Sequence, residues 1–385
     1  MDLQISKQEF LEKYQTKEPF LIRKAFQPDL GYQEIDEIIT RCDISSQDFK
    51  LNFEGRVLDK NEYIEKYEDI GKTRYRFLRN KLYDYLNKGA TLIANKISNE
   101  PKIYKYRRYF EHLSGRPTIA SLYLAYGNDS SFRAHWDTRD VFALQFEGRK
   151  KWTLYKPNFE LPINNQESKD MKSYSCPDEV YMEVILEEGD ILYIPRGWWH
   201  DPIPLGETSV HLSIGTYPFY PRDYIHWLLN IIPNHEISIR KDLLSYDQNK
   251  DNFDSLSEVI HSYLTNNELY KIFISQMQDK VYRTESPLNL SLMASPVSDK
   301  IIPDNAKLDI NIINNIDYNW EYLIINGVKV NVSLESKAIF EFLINNPMVE
   351  FKKIKTNFQN IPVKKLNDFI FELCLTDILA LYLNS

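Results

Sequence analysis

The sequence predicts a mainly β fold with added α-helices, and two features of its pattern indicate this. From Ile119 onward, short apolar or alternating runs follow one another, among them "IASLYLAYG", "DVFALQFEG" and "YMEVILEEGDILYIP". Gly, Pro, Asn and Asp stand between the runs, and many short strands separated by turn residues are typical of an all-β sandwich or barrel. After Pro221 the pattern changes to helical stripes, so we expect the β domain to end near residue 220.

The segments that precede the β domain predict a mixture of short helices and strands. Ser6 fits the N-cap of a helix that carries Phe10. Glu18–Phe26 predicts a short buried strand, and Lys81–Ile97 predicts a helix end, a turn at Gly89 and a strand. These elements are expected to pack against the β domain.

The segments that follow it predict helices and then a small α+β unit. Asp254–Met277 has apolar residues at helical spacing. A stretch rich in Pro, Ser and Asn at about 285–305 predicts a linker. From about Lys307 a small mixed module is expected, and its Asn326-Gly327 pair predicts the turn of a β-hairpin.

Composition limits the classes of function and the compartment. The chain has 385 residues and a net charge of −8, and this acidic balance argues against broad nucleic-acid binding, which needs a basic surface. The cysteines, Cys42, Cys176 and Cys374, are three in number and far apart in sequence, which indicates reduced thiols in a cytoplasmic protein. The N-terminal residues lack a signal-peptide pattern, and no apolar stretch is long enough to span a membrane.

Three residues form a candidate metal site. His135 and Asp137 stand two positions apart on an extended segment, so their side chains are expected on one face. A lone His-x-Asp pair is commonly a structural feature, so the prediction needs a third ligand. His200 supplies it at the end of "GDILYIPRGWWH", if folding brings two distant strand ends together. Two imidazoles and one carboxylate on one face of the metal are typical of non-haem Fe(II) oxygenases.

These motifs resemble a known family. "AHWDTRDVFALQFEGRKKW" and "GDILYIPRGWWH" are similar to the motifs of the JmjC-type cupin Fe(II)/2-oxoglutarate-dependent oxygenases, especially the ribosomal-protein hydroxylases, or ribosomal oxygenases. The resemblance implies a double-stranded β-helix (cupin/JmjC) core, a helical dimerisation-like region and a winged-helix-like C-terminal module. Here those would be residues 1–220, 221–300 and 301–385.

The same resemblance implies Fe(II), 2-oxoglutarate and O2 as cofactor and cosubstrates. Lys150 stands at the family position whose cation binds the distal carboxylate of 2-oxoglutarate, and strand alternation lets only one side of the run Arg149 to Lys151 face inward. Tyr123 and Ser213 match further pocket positions. His211, two positions before Ser213, is expected on the same face with a structural role; the alternative is that it contacts and supports the residues that line the site.

The predicted function is hydroxylation of a protein or peptide side chain, with a ribosomal protein as the first candidate substrate. A ribosomally made natural-product precursor peptide is an alternative substrate, and N-methyl-lysine demethylation would use the same chemistry. A non-catalytic cupin that binds or regulates is the alternative from another class. By analogy with the family, a homodimer is expected.

Overall fold

The computed structural model describes residues 1, 3–127, 133–280, 286–290, 301–312 and 320–383. The chain divides into two compact units, Met1–Tyr217 and Pro218–Ser385, and each is described by itself. Most of the predicted linker lies outside the described residues, so the linker and the boundary at residue 300 stay predictions. No helix in the described ranges is long and apolar enough to cross a membrane.

The first unit consists mainly of antiparallel strands. Its described helices are α1 (Lys7–Glu9, continued by a π-helical turn, Phe10–Tyr14), α2 (Tyr32–Arg41), α3 (Arg79–Asn87) and α4 (Pro101–Ser114), with a 3-10 turn at Lys60–Glu62. Its described strands are β1 (Phe20–Ile22), β2 (Phe49–Phe53), β3 (Arg56–Val57), β4 (Ile64–Asp69), β5 (Lys72–Phe77), β6 (Thr91–Ile97), β7 (Thr118–Ala125), β8 (Val141–Glu147), β9 (Lys150–Tyr155), β10 (Met182–Leu186), β11 (Ile191–Ile194), β12 (Trp199–Pro204) and β13 (Ser209–Thr216). The predicted mainly β fold with helices is confirmed.

Two sheets of this unit face each other. In the described part of the chain the larger sheet has the strand order β1-β11-β8-β13-β7-β6-β2-β3, and the smaller has the order β10-β9-β12. Ala143 and Leu192 of the larger sheet form one apolar cluster with Trp152, Leu154 and Leu186 of the smaller sheet. Two antiparallel sheets packed through their inner faces agree with the predicted cupin core.

The larger sheet is buried on its other face as well. Phe142, Leu144 and Phe146 belong to the main core cluster, which also contains residues of α2 and α4. Phe142 stacks on Phe110 of α4 with ring centroids 4.1 Å apart, whereas Ala143 faces the smaller sheet. Burial on both faces explains why β8 is an almost continuous apolar run instead of an alternating one.

The second unit is helical first and mixed afterwards. Its described helices are α5 (Pro221–His235), α6 (Tyr246–Leu264), α7 (Asn267–Lys280), α8 (Leu334–Asn345), α9 (Phe351–Asn357) and α10 (Val363–Leu375), with a 3-10 turn at Ser238–Arg240. Its described strands are β14 (Lys307–Ile310), β15 (Tyr322–Ile325), β16 (Val328–Asn331), β17 (Val349–Glu350) and β18 (Leu379–Tyr382). Among the described residues these strands form a β17-β14-β18 sheet and a β15-β16 hairpin.

Two local predictions in this unit have different outcomes. The hairpin turn at Asn326-Gly327 is confirmed, and both residues adopt the positive φ values (51° and 82°) that a tight hairpin turn requires. The helical stripe of Asp254–Met277 is divided between α6 and α7. The side chain of Asn266 accepts hydrogen bonds from the backbone N–H groups of Glu268 and Leu269, so a new helix begins there.

Candidate metal centre

The backbone brings the two distant motifs together. His135 lies between β7 and β8, and His200 is the second residue of β12. The N–H of His135 donates to the carbonyl of His200 (3.1 Å), and the N–H of His200 donates to that of His135 (2.8 Å). This two-residue bridge places both imidazoles on one side of the junction.

Side-chain atoms of His135, Asp137 and His200 converge. One ligand atom from each of the three lies within 4.8 Å of the other two. Nε2 of His200 is 3.7 Å from Oδ2 of Asp137, and the imidazole centroids are 4.4 Å apart. His200 is buried and the other two are half-buried, so the three groups form a concave donor set that is open on one side.

The tautomers of both imidazoles suit metal binding. Nδ1 of His135 is 2.9 Å from the carbonyl of Arg133, and Nδ1 of His200 is 3.1 Å from the carbonyl of Trp198. A carbonyl only accepts, so each Nδ1 carries the proton and the lone pair of a neutral ring lies on Nε2. Burial, followed by the nearby His135, lowers the pKa of His200 to about 4, which keeps this ring neutral.

Asp140 joins the segment that carries His135 and Asp137 to the segment that carries His200. Its buried carboxylate accepts hydrogen bonds from the Arg116 guanidinium (2.8 Å), the Tyr193 hydroxyl (3.0 Å) and the backbone N–H of Arg196 (3.0 Å). Because Asp140 follows the His-x-Asp pair and Arg196 precedes His200, these contacts hold both segments in place. Sequence reasoning missed this role, and the only signal was an acidic residue directly before an apolar strand.

Buried tryptophans stand next to the three donor residues in sequence. Trp136, between the two residues of the His-x-Asp pair, lies edge-on to Trp199 with centroids 4.7 Å apart. The indole N–H of Trp199 donates to the side chain of Asn158, and that of Trp198 donates to the carbonyl of Lys17. The residues next to each imidazole are therefore fixed by packing and by hydrogen bonds.

Lys150 is a buried cation in the same β core. It is 3% exposed, whereas Arg149 and Lys151 point outward and pair with Glu207 and Glu183. Among the described residues no carboxylate lies within ion-pair distance of its ammonium group, and burial lowers the pKa of Lys150 to about 7. An interior amine without an anionic partner is a site that an anion can complete.

The other two residues that the sequence predicted for the cosubstrate site, Tyr123 and Ser213, lie on neighbouring strands. Tyr123 on β7 is paired with His211 on β13, and their rings stack at 4.7 Å with an interplanar angle of 4°. Ser213 is two residues farther along β13 and therefore lies on the same face. The centroid of the Trp152 ring lies 6.0 Å from that of His200 and 5.4 Å from that of His211, so one side chain stands between the His-Asp-His donor set and His211.

Comparisons with known proteins agree with this geometry. The model of the JmjC domain matches residues 93–224. The bifunctional lysine-specific demethylase and histidyl-hydroxylase NO66 of Drosophila persimilis is 27% identical over 225 residues, which are 54% of this chain and 30% of that protein. Ribosomal oxygenase 1 of Danio rerio is 26% identical over 207 residues, covering 52% and 37% of the two chains. The chain thus spans about a third of the length of these relatives.

Solved structures resemble the whole chain. The ribosomal oxygenase YcfD of Escherichia coli, in complex with cobalt and 2-oxoglutarate, superposes with a TM-score of 0.59 at 16% identity, covering 99% of both chains. Its complex with cobalt and succinic acid gives a TM-score of 0.60 with the same coverage. The chain therefore contains a JmjC domain and has the fold of the ribosomal oxygenases.

Proposed function

We propose that this protein is an Fe(II)- and 2-oxoglutarate-dependent dioxygenase that hydroxylates a side chain of a protein or peptide. The observation that carries the proposal is the combination of a His-Asp-His donor set with a buried, anion-free lysine in one β core. A cupin that only binds or regulates needs neither feature. The JmjC match over residues 93–224 supports the same class of enzyme.

His135, Asp137 and His200 would hold the metal. Their donors are two neutral imidazole nitrogens and one carboxylate oxygen, a set that suits Fe(II) and leaves coordination positions open. When bound, ferrous iron supplies the oxygen-activating chemistry of this class, in which 2-oxoglutarate is converted to succinate and CO2 and one oxygen atom is inserted into a C–H bond. The chain itself orients the donors through the backbone bridge and the Asp140 contacts.

Lys150 would bind the distal carboxylate of 2-oxoglutarate. A carboxylate beside this ammonium group compensates the cost of its burial, which the protein alone leaves unpaid. The hydroxyls of Tyr123 and Ser213 would complete the carboxylate site as hydrogen-bond donors. Trp152 and the stacked rings keep water away from this end of the pocket.

The proposed substrate is a side chain of a ribosomal protein. Two matched relatives are named a histidyl-hydroxylase and a ribosomal oxygenase. Ribosomal proteins are typically basic, and a net charge of −8 favours the approach of a basic partner. The cysteines Cys42, Cys176 and Cys374 are free thiols, in keeping with action in the cytoplasm.

A homodimer through the helical region is part of the proposal. Ile225 and Leu229 are one turn apart on α5 and are 44% and 46% exposed. On α7, Tyr270 and Ile272 are also exposed. Light scattering should give twice the monomer mass for the native protein and the monomer mass for Leu229→Glu; a native monomer would remove this part of the proposal.

Enzyme assays test the main proposal. Purified protein with Fe(II), 2-oxoglutarate and ribosomal proteins should release succinate and give one protein product heavier by about 16 Da, the mass of one oxygen atom. Asp137→Ala should abolish both the product and Co(II) binding, while Asp84→Ala, which removes an exposed carboxylate on α3, should change neither. Absence of 2-oxoglutarate turnover together with absence of metal binding by the native protein would refute the proposal.

A further inference from the structure

Lys150 and His211 form a buried pair that the proposed chemistry does not by itself require. Nζ of Lys150 lies 2.9 Å from Nδ1 of His211, and each residue is 3% exposed. The two residues lie in different sheets, on β9 and β13. No other hydrogen bond joins either side chain to any of the described residues, so each is the other's polar partner within this part of the chain.

The imidazole of His211 is held rigidly. One face stacks on the Tyr123 ring (4.7 Å, 4°), and the Trp152 ring meets it nearly perpendicularly (5.4 Å, 82°). The His211 backbone is paired on both sides, with Tyr123 of β7 and with Gln145 of β8. A ring clamped in this way keeps Nδ1 at one place and in one direction.

The protonation state of the pair follows from donor chemistry. An ammonium group has only donors, so when Lys150 is charged Nδ1 of His211 accepts the hydrogen bond and Nε2 carries the proton. Burial, followed by the charge on Lys150, holds the pKa of His211 well below its usual value. His211 is therefore a neutral acceptor fixed in the core.

We propose that His211 is a positioning residue that aims the Lys150 ammonium at the distal carboxylate of 2-oxoglutarate and so makes the enzyme selective for 2-oxo acids that carry this second carboxylate. The inference rests on the proposed function. Lysine has a flexible four-carbon stem, and its charge is directional only when a neighbour fixes it. His211 supplies that neighbour without adding a negative charge that would compete with the ligand.

Two ligands separate this role from a general packing role. 2-Oxoglutarate and 2-oxopentanoate have the same five-carbon chain, and a methyl group replaces the distal carboxylate in the second. Both are offered to Mn(II)-loaded protein in calorimetric titrations, and 2-oxoglutarate is also varied in turnover assays. Loss of the lysine alignment should weaken only the ligand that has the distal carboxylate.

The variants place or remove an acceptor at a defined atom. His211→Leu introduces an apolar side chain of similar size that has no hydrogen-bond acceptor. We expect its KM for 2-oxoglutarate to rise about tenfold, the effect of one charge-assisted hydrogen bond, with kcat and the binding of 2-oxopentanoate unchanged. His211→Asn can place an amide oxygen near the Nδ1 position and should recover most of the affinity, whereas His211→Gln, whose amide lies near the Nε2 position, should not.

A double-mutant cycle and a spectroscopic measurement complete the test. Once Lys150 is replaced by Met, His211→Leu should cause no further loss of 2-oxoglutarate affinity. In the metal-free native protein below pH 7, where Lys150 carries its proton, imidazole 15N spectra should show His211 with an unprotonated Nδ1, and this measurement needs no variant to fold. Equal weakening of both ligands, additive losses in the cycle, or a protonated Nδ1 would overturn the inference.

The failures of the two proposals are distinguishable. If the native protein neither binds nor turns over 2-oxoglutarate, the proposed function itself is refuted. If the native protein does both and His211→Leu matches it for both ligands, only the positioning role is refuted.

Discussion

Replacing Lys150 by Met should make the ligand-free protein more stable near neutral pH, although it removes the proposed carboxylate anchor. The ammonium group is buried without a carboxylate partner among the described residues, and burial lowers its pKa from 10.5 to about 7. The folded protein therefore disfavours the charged form that the unfolded chain adopts freely in water. A methionine of similar length fills the space and carries no charge.

The size and sign of the effect follow from proton linkage. Between pH values of about 7 and 10.5 the unfolded chain holds a proton on Lys150 that the folded chain lacks, so this residue makes stability rise with pH through that window. The free-energy cost of burying Lys150 is nearly absent above pH 10.5, grows as pH falls, and reaches roughly 4 kcal/mol at pH 7. Methionine removes this pH-dependent part. The net gain at pH 7 is smaller, because an unpaired acceptor on His211 costs about 1–3 kcal/mol.

Urea denaturation of both proteins at pH 7, 8, 9 and 10 measures the difference, since titrations common to both cancel. Lys151→Met is the matched control: Lys151 is one-third exposed and paired with Glu183 at 2.8 Å, and its loss should change the free energy of unfolding by less than about 1 kcal/mol at every pH. If the free energy of unfolding of Lys150→Met changes with pH in the same way as that of the native protein across this range, the lysine is not a destabilising buried cation and the reasoning fails.

Two further substitutions test residues that hold the strands and loops around the site in place. Gly148→Ala should lower the free energy of unfolding by more than about 3 kcal/mol, because φ is +59° and a Cβ would collide with the carbonyl oxygen of Thr208. Gly55→Ala is the control: its φ is +73° but the space around it is open, so the loss should be about 1 kcal/mol. Equal losses for the two variants in urea denaturation would contradict this reasoning. Asp140→Ala should lower the free energy of unfolding by about 3–5 kcal/mol, because the partly buried Arg116 guanidinium and the buried Tyr193 hydroxyl lose their common partner. It should also weaken Co(II) binding in a titration; native affinity in a folded variant would show that Asp140 does not hold the segments that carry His135, Asp137 and His200.

The sequence predicted those parts of the fold and the site that depend on periodicity along one strand. Alternation implied that Lys150 and its two basic neighbours face opposite sides of β9, and the structure places Lys150 inside and Arg149 and Lys151 outside. Likewise, the turn residues between apolar runs located the β core, and the convergence of His135, Asp137 and His200 was expected from their positions at strand ends. Their roles as ligands, and that of Lys150, stay proposals.

The parts that could not be predicted depend on register between strands. Lys150 and His211 are 61 residues apart, and their contact depends on how two sheets face each other, which spacing within a strand does not define. The hydrogen bonds of Asp140 have the same origin, because Arg116 and Tyr193 belong to other segments. The break between α6 and α7 was missed for a local reason, since the capping amide of Asn266 interrupts an otherwise continuous apolar stripe.

Strand register also explains how one element can relate the position of Lys150 to that of the His-Asp-His donor set. His200 of β12 is paired with Leu154 of β9, and Lys150 lies four residues earlier on β9, so that Lys150, Trp152 and Leu154 share the inner face. Four residues of an antiparallel strand span roughly 13 Å. The separation of Lys150 from His200 is therefore set by a hydrogen-bonded strand. A flexible loop would admit diacids of several lengths, whereas a strand paired on both sides keeps this separation constant, and the Trp152 ring lies next to both His200 and His211. Selectivity for a five-carbon 2-oxo diacid would therefore arise from two separable causes: the strand would set its length, and the Lys150–His211 pair would recognise its second charge.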